Sequence, residues 1–281
     1  MGFSLLFLQP ILKYLKQIFD FYINSSIHVA LAASVLVLIT YHFAKLPISW
    51  SVFSFVFSGT LVCYNTIKYA EVFLKTKTLK QSIKFIFILN VICSILSGYL
   101  FFQLSTSAQI AILFFLFLSV LYLIPLGKSR VNLRNLARIK IYIVSLCWAG
   151  VTVLIPILNA DVVIENDLVF KFVQRFVFTY ILILIFDIND LKYDEVRLKT
   201  LPQTIGVENT KNIIYLLLVV FFALEFFKSA QLQNQWIINI LVSLIIFFLA
   251  YFVTSKKTKY YTLFWVESVP MIWYILILLF T

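Results

Sequence analysis

The sequence predicts an all-α fold, a single bundle of nine transmembrane helices over residues 1–281 with an interfacial helix at its N-terminal end (1–24). Three observations predict it. Hydrophobic residues make up 62% of the chain and charged residues 12%, against about 25% charged in an ordinary globular domain. So little polar surface cannot coat a water-soluble particle. Nine apolar runs approach or reach the length that crosses a bilayer. The basic residues concentrate in alternate connections between those runs.

A helix needs roughly 20 apolar residues to span the hydrocarbon. The segment 3–23 mixes its apolar residues with Gln9, Lys13, Lys16, Gln17 and Asp20, a pattern for a helix lying in the membrane interface. The spans then follow at 27–45, 50–69, 83–103, 108–126, 139–158, 168–186, 213–228, 236–254 and 260–280, the seventh being short. Backbone polar groups cannot stay unpaired in hydrocarbon, so these runs must be helices. A barrel would need short alternating segments, which the sequence lacks. Trp50, Trp236, Tyr260 and Tyr261 fall near span ends as interfacial anchors. His28 and His42 flank the first span and read as interfacial. Cys63, Cys93 and Cys147 each lie in an apolar run and read as small core residues, with no disulfide framework. The first apolar stretch has neither the basic region nor the small-residue site of a cleaved signal. No Gly-, Ser- or Pro-rich linker divides the chain.

The net charge is +11. In a soluble protein that would suggest nucleic acid. Here it reads as orientation, because Lys and Arg accumulate on the cytoplasmic side. With a cytoplasmic N-terminus, nineteen of the 23 basic residues fall on that side. Lys45, Lys171, Arg175 and Lys228 fall on the other, beside the acidic loop Asp161, Glu165, Asp167. A wrong span count would scramble the split. The localisation expected is a multi-pass protein of an inner or plasma membrane, surrounded by lipid and with no nucleic-acid partner.

Acids are scarce, twelve in all, yet three gather after the sixth span: Asp187, Asp190 and Asp194. Their spacing of i, i+3, i+7 puts them on one face of a helix. Like charges there repel unless solvated or bridged by cations, and Mg²⁺ binds through one or two carboxylates plus substrate phosphates. Asp187 directly follows an apolar span, at a membrane boundary where charge is costly. Capping aspartates on a solvated helix end are the plain alternative.

The run Asp187-Ile188-Asn189-Asp190, Asp194, then Lys199-Thr200-Leu201-Pro202 and Gly206, resembles the second aspartate motif of the UbiA-type intramembrane prenyltransferases. A weaker likeness lies at Tyr122, Pro125, Lys128, Ser129 and Arg130. The resemblance implies nine transmembrane helices and a Mg²⁺-dependent transfer of a prenyl group from a prenyl diphosphate to an aromatic or lipid acceptor. It implies a site at the cytoplasmic face, with the three aspartates as metal-binding and catalytic residues. Tyr122, Lys128, Arg130 and Lys199 would meet the substrate. The first family motif, N-D-x-x-D-x-x-x-D, is degenerate here. Asn65 stands, but Thr66, Tyr69 and Phe73 occupy the aspartate positions, and Glu71 is out of phase.

Lys68, one turn after Asn65, is a candidate substitute for one metal, since an ammonium meets phosphate as a point charge. An ion pair with Glu71 is its alternative. Asn65 and Lys68 complete the set expected to bind substrate. A second reading stays open, a non-catalytic relative that binds an isoprenoid or partners another membrane enzyme. A small transporter is a third. Asn90, Glu225 and Glu267 lie inside apolar runs, and the two acids read as structural, with Lys228 as a possible partner.

Overall fold

The computed structural model describes residues 3–75, 80–123, 125–126, 131–132, 137–193, 199–229 and 234–281. Nearly all of these are helical. The exceptions include a two-residue antiparallel ladder, Pro125–Leu126 on Val131–Asn132. The helices are α1 (Phe3–Asn24), α2 (Ile27–Phe43), α3 (Trp50–Lys75), α4 (Gln81–Phe101), α5 (Thr106–Leu123), α6 (Ala137–Ala149), α7 (Ile155–Asn159), α8 (Asn166–Asp190), α9 (Leu201–Ile205), α10 (Val207–Ala223), α11 (Gln235–Phe252) and α12 (Val269–Phe280). Wide π-helical turns at Gly150–Leu154 and Tyr261–Val266 join α6 to α7 and lead into α12.

Among the described residues, seven helical stretches are long and apolar enough to cross a membrane. They begin at Trp50, Gln81, Ile139, Asn166, Val207, Gln235 and Tyr261. The pair Leu12–Asn24 and Ile27–Phe43, bent by 55°, passes the same test jointly, and Thr106–Leu121 is a shorter apolar helix. The bend falls at Ser25 and Ser26, both buried, with Ser26 in the left-handed region at φ 62°.

Helices α2 and α8 form the centre. Phe178, Ile181 and Ile185 of α8 pack with Leu36 and Ile39 of α2, Phe221 of α10, Val242 of α11 and Trp273 of α12. The opposite side of α2, through Ala33, Val37 and Tyr41, meets Val52 and Val56 of α3, Ile112 and Phe115 of α5, and Ile155 of α7. At the periphery, α4 turns Phe85, Ile88, Ile92, Ile95 and Tyr99 outward. An apolar outer band of this kind suits hydrocarbon surroundings.

The wide turn after α6 depends on Gly150. A Cβ there would stand 1.9 Å from the Phe115 ring, which is itself 5% exposed. The extra residue of a π turn and the missing side chain together admit the ring.

Three expectations change. The seventh run starts earlier than 213, because Gly206 at φ 86° ends α9 and α10 begins directly at Val207. His28, expected beside the first span's end, is buried and partnered within the bundle: the Tyr22 hydroxyl donates to its Nδ1 (2.7 Å) and its Nε2 donates to the Phe264 carbonyl (3.1 Å). Lys171 and Arg175, counted among the cations of the non-cytoplasmic side, do not face solvent. Both lie on α8, facing the bundle interior, at 1% and 0% exposure.

Candidate functional site

The last turn of α8 carries Asp187, Asn189 and Asp190. Asp187 is buried, and its Oδ1 lies 3.6 Å from Lys140 Nζ of α6. Asp190, three residues on, shares its face of the helix and is half-buried. Asn189 sits between them and points elsewhere. Its Nδ2 donates to Asp190 Oδ1 and to Thr262 Oγ1, each at 3.4 Å, which ties the end of α8 to the π turn before α12. Asp194, the third aspartate, lies outside the described residues.

The connection after α8 then restarts cleanly. Thr200 N–H donates to Gln203 Oε1 (3.1 Å), Pro202 occupies the first turn of α9, and Gly206 stops it. Pro suits a helix start because its missing N–H would have no partner there, and Gly suits φ 86° because it has no Cβ. Lys199 precedes this turn and is exposed, with its carbonyl accepting from Thr204 Oγ1.

The end of α3 grips the α1–α2 bend. Asn65 Nδ2 donates to the Ser25 carbonyl (3.1 Å), Lys68 Nζ to Ser26 Oγ (3.0 Å), and the Tyr69 hydroxyl to the Asn24 carbonyl (3.0 Å). Lys68 also interacts electrostatically with Glu267 and Lys259. The Glu71 side chain lies outside the described residues, so the Lys68–Glu71 pair does too. From the bend the polar seam continues through His28 to Phe264, and Ser268 Oγ lies 3.2 Å from the same imidazole. The expected residues of α3 and α8 are thus brought to one end of the bundle, linked through α2 and the π turn. Lys128 and Arg130 lie outside the described residues, as does the side chain of Tyr122.

Oxygen predominates in this seam. The Oδ1 atoms of Asn65 and Asn189 are buried acceptors with no hydrogen-bond partner. Among the described residues no group of three His, Cys, Asp or Glu side chains is arranged to hold a metal ion. The carboxylates of Asp187 and Asp190, at i and i+3, are of the donor type taken by a hard cation that completes its shell with water and phosphate.

Sequence reasoning missed Ser25, Ser26, His28 and Thr262. None carries a local sign of its partner in the sequence, and the packing of α2 against α3 and the π turn supplies it. Tyr260 anchors α1 from the same region: its hydroxyl donates to Asp20 Oδ1, and that bond raises its pKa above the ordinary tyrosine value. Compared with protein families, characterised proteins and solved structures, the chain matches none.

Proposed function

We propose that the chain is a multi-pass membrane prenyltransferase of UbiA type. It would cross the membrane nine times, with its N-terminus and its site on the cytoplasmic side. It would transfer a prenyl group from a prenyl diphosphate to an aromatic or lipid acceptor. One observation carries the reading: the aspartate run ending α8 leads into the Lys199-Thr200-Leu201-Pro202 turn and Gly206. Its first carboxylate is buried against Lys140. Seven apolar stretches of spanning length support a multi-pass reading, and the bent pair and the shorter Thr106–Leu121 would make up the remaining two crossings.

Asp187, Asp190 and Asp194 would hold Mg²⁺, with the oxygens of Asn65 and Asn189 as further donors. When bound, Mg²⁺ supplies positive charge to a departing diphosphate. Lys140 neutralises Asp187 when the substrate is absent and presents an ammonium to phosphate when it arrives. Lys68 contributes a second ammonium from α3, and Lys199 a third from the turn, with Tyr122, Lys128 and Arg130 completing the substrate-binding set. Trp148 Nε1 donates to the Tyr64 hydroxyl (3.1 Å), an aromatic pair between α3 and α6 suited to shielding an electron-poor allylic carbon.

One observation favours the non-catalytic relative. Asn65 and Lys68 direct their donors at the backbone and hydroxyl of the α1–α2 bend, a structural task. A single assay separates the two readings. Purified protein is offered geranylgeranyl and longer prenyl diphosphates, with and without Mg²⁺ and a panel of acceptors. Turnover that is lost in Asp190→Ala supports the enzyme. Mg²⁺-dependent binding without turnover supports the binding protein, and no binding under any condition removes both.

A further inference from the structure

The end of the bundle away from the aspartates holds a second charged cluster, made by α8, α11, α12 and the 3-10 turn Leu224–Phe227 that follows α10, with Phe43 of α2. Lys171, Arg175 and Lys228 are 1%, 0% and 4% exposed. The first acid among them is Glu225, 2% exposed, whose Oε2 accepts from Lys228 Nζ (2.6 Å), Asn239 Nδ2 (2.7 Å) and Gln174 Nε2 (3.2 Å). Lys171 lies 4.7 Å from the Phe43 ring centroid and 5.1 Å from that of Trp273, and makes no hydrogen bond or ion pair among the described residues. Asp167 stands at the rim, its Oδ1 accepting from Ser229 N–H. Three cations therefore face one buried carboxylate and one rim carboxylate.

Arg175 shows what is missing. Its Nη1 donates to the Leu36 carbonyl (3.2 Å), while Nε and Nη2 are buried without partners. Those two N–H groups form the edge of the guanidinium that pairs with two oxygens of one oxyanion. Leaving both unpaired at full burial costs more than an ordinary lost hydrogen bond. The Trp273 ring, 5.3 Å from Cζ, holds the guanidinium plane.

We propose that Arg175 and Lys171, with Lys228, bind a phosphate group in this end of the bundle. The open Arg175 fork fits two phosphate oxygens, and the surplus positive charge fits an anion of at least one negative charge. The phosphate comes from a phospholipid headgroup or from free inorganic phosphate. An apolar groove of about 170 Å³ between α7 and the first turns of α8, lined by Ile157, Leu168 and Phe172 among others, runs beside the site. Ile157 and Leu168 pack against Phe43, the ring under Lys171, so an acyl chain in the groove would bring its headgroup to the cations. The site is independent of the prenyltransferase reading.

The test uses the full chain, delipidated in alkyl maltoside. Native mass spectrometry compares phosphatidylglycerol with a diacylglycerol of the same acyl chains, and thermal unfolding is followed with inorganic phosphate against chloride at equal ionic strength. The expected result is retention of phosphatidylglycerol over diacylglycerol, or stabilisation by phosphate beyond that by chloride, the first naming the lipid and the second the free ion. Arg175→Lys keeps the charge and loses the fork, and should weaken binding on the order of tenfold. Glu225→Gln removes the competing carboxylate and should tighten it. The proposal fails if the wild type discriminates in neither assay, or if binding survives Arg175→Lys and is unaffected by Glu225→Gln.

Discussion

The buried pair Lys228–Glu225 yields the sharpest stability prediction. The two side chains are 0% and 2% exposed and 2.6 Å apart, so solvent screening does not discount them. Glu225→Leu leaves an ammonium that, among the described residues, hydrogen-bonds only Gln174 Oε1 at 2.9 Å, with the rim Asp167 as its remaining counter-charge and Lys171 nearby as a like charge. Removing one partner of a buried pair costs about 3–5 kcal/mol. Lys228→Met leaves a carboxylate still served by Asn239 and Gln174, and relieves the repulsion with Lys171. It should cost less, about 2–3 kcal/mol. The double variant replaces both charges by apolar groups and should fall at least about 2 kcal/mol short of the sum of the singles. The cycle is read from SDS-induced unfolding in mixed micelles, followed by circular dichroism. Additivity within about 0.5 kcal/mol, or Lys228→Met costing more than Glu225→Leu, would refute the reasoning.

Three further outcomes are expected. Gly150→Ala forces a methyl into the Phe115 ring and should destabilise by about 1–3 kcal/mol in the same assay, with Phe115→Leu restoring part of the loss. Gly206, at φ 86° and ψ 163°, occupies a region open essentially to glycine, so Gly206→Ala should cost about 1–3 kcal/mol although its Cβ would meet no neighbour. Tyr260 has its pKa raised by the bond to Asp20, so that bond stabilises the docked α1 below the usual tyrosine value and is lost as pH climbs through the raised one. In ultraviolet titration, the difference between wild type and Tyr260→Phe should ionise above pH of about 10 and fall back in an Asp20→Asn background.

Much of the architecture was readable in the sequence because hydrocarbon imposes a length on each helix. The apolar runs at 50–69, 83–103, 139–158, 236–254 and 260–280 match helical stretches to within a few residues. Asp187 and Asp190 were also readable, since helical spacing and the end of an apolar run place them together. The second charged cluster was not. Counting Lys171 and Arg175 as topology markers treats every cation as a loop residue. Their burial depends on partners far away in sequence, Leu36, Phe43, Glu225 and Trp273, none of which carries a local sign of the contact. The α1–α2 bend was missed for a related reason. Two serines between helices look like an ordinary linker until Asn65 and Lys68 close on them.

The two π turns have a consequence for how this chain can change length. Each meets α2 through a carbonyl: Thr152 accepts from Thr40 Oγ1 at 2.7 Å, and Phe264 accepts from His28 Nε2 at 3.1 Å. A π turn holds one residue more than the α-helical ladder around it. Deleting a residue from Gly150–Leu154 would therefore leave a continuous α-helix and no break. A π turn closes one revolution with about one residue more than an α turn, so the helix beyond would keep nearly its rotational phase relative to α6. Ile155 would stay at the α2 interface, and the disturbance would centre on the Thr152 carbonyl that serves Thr40. The same deletion inside a plain α-helix such as α4 would rotate everything beyond it by about 100°. Single-residue deletions should thus be tolerated better in the two π turns than in the α-helical stretches around them, each surplus residue acting as slack that preserves the phase of the helix that follows.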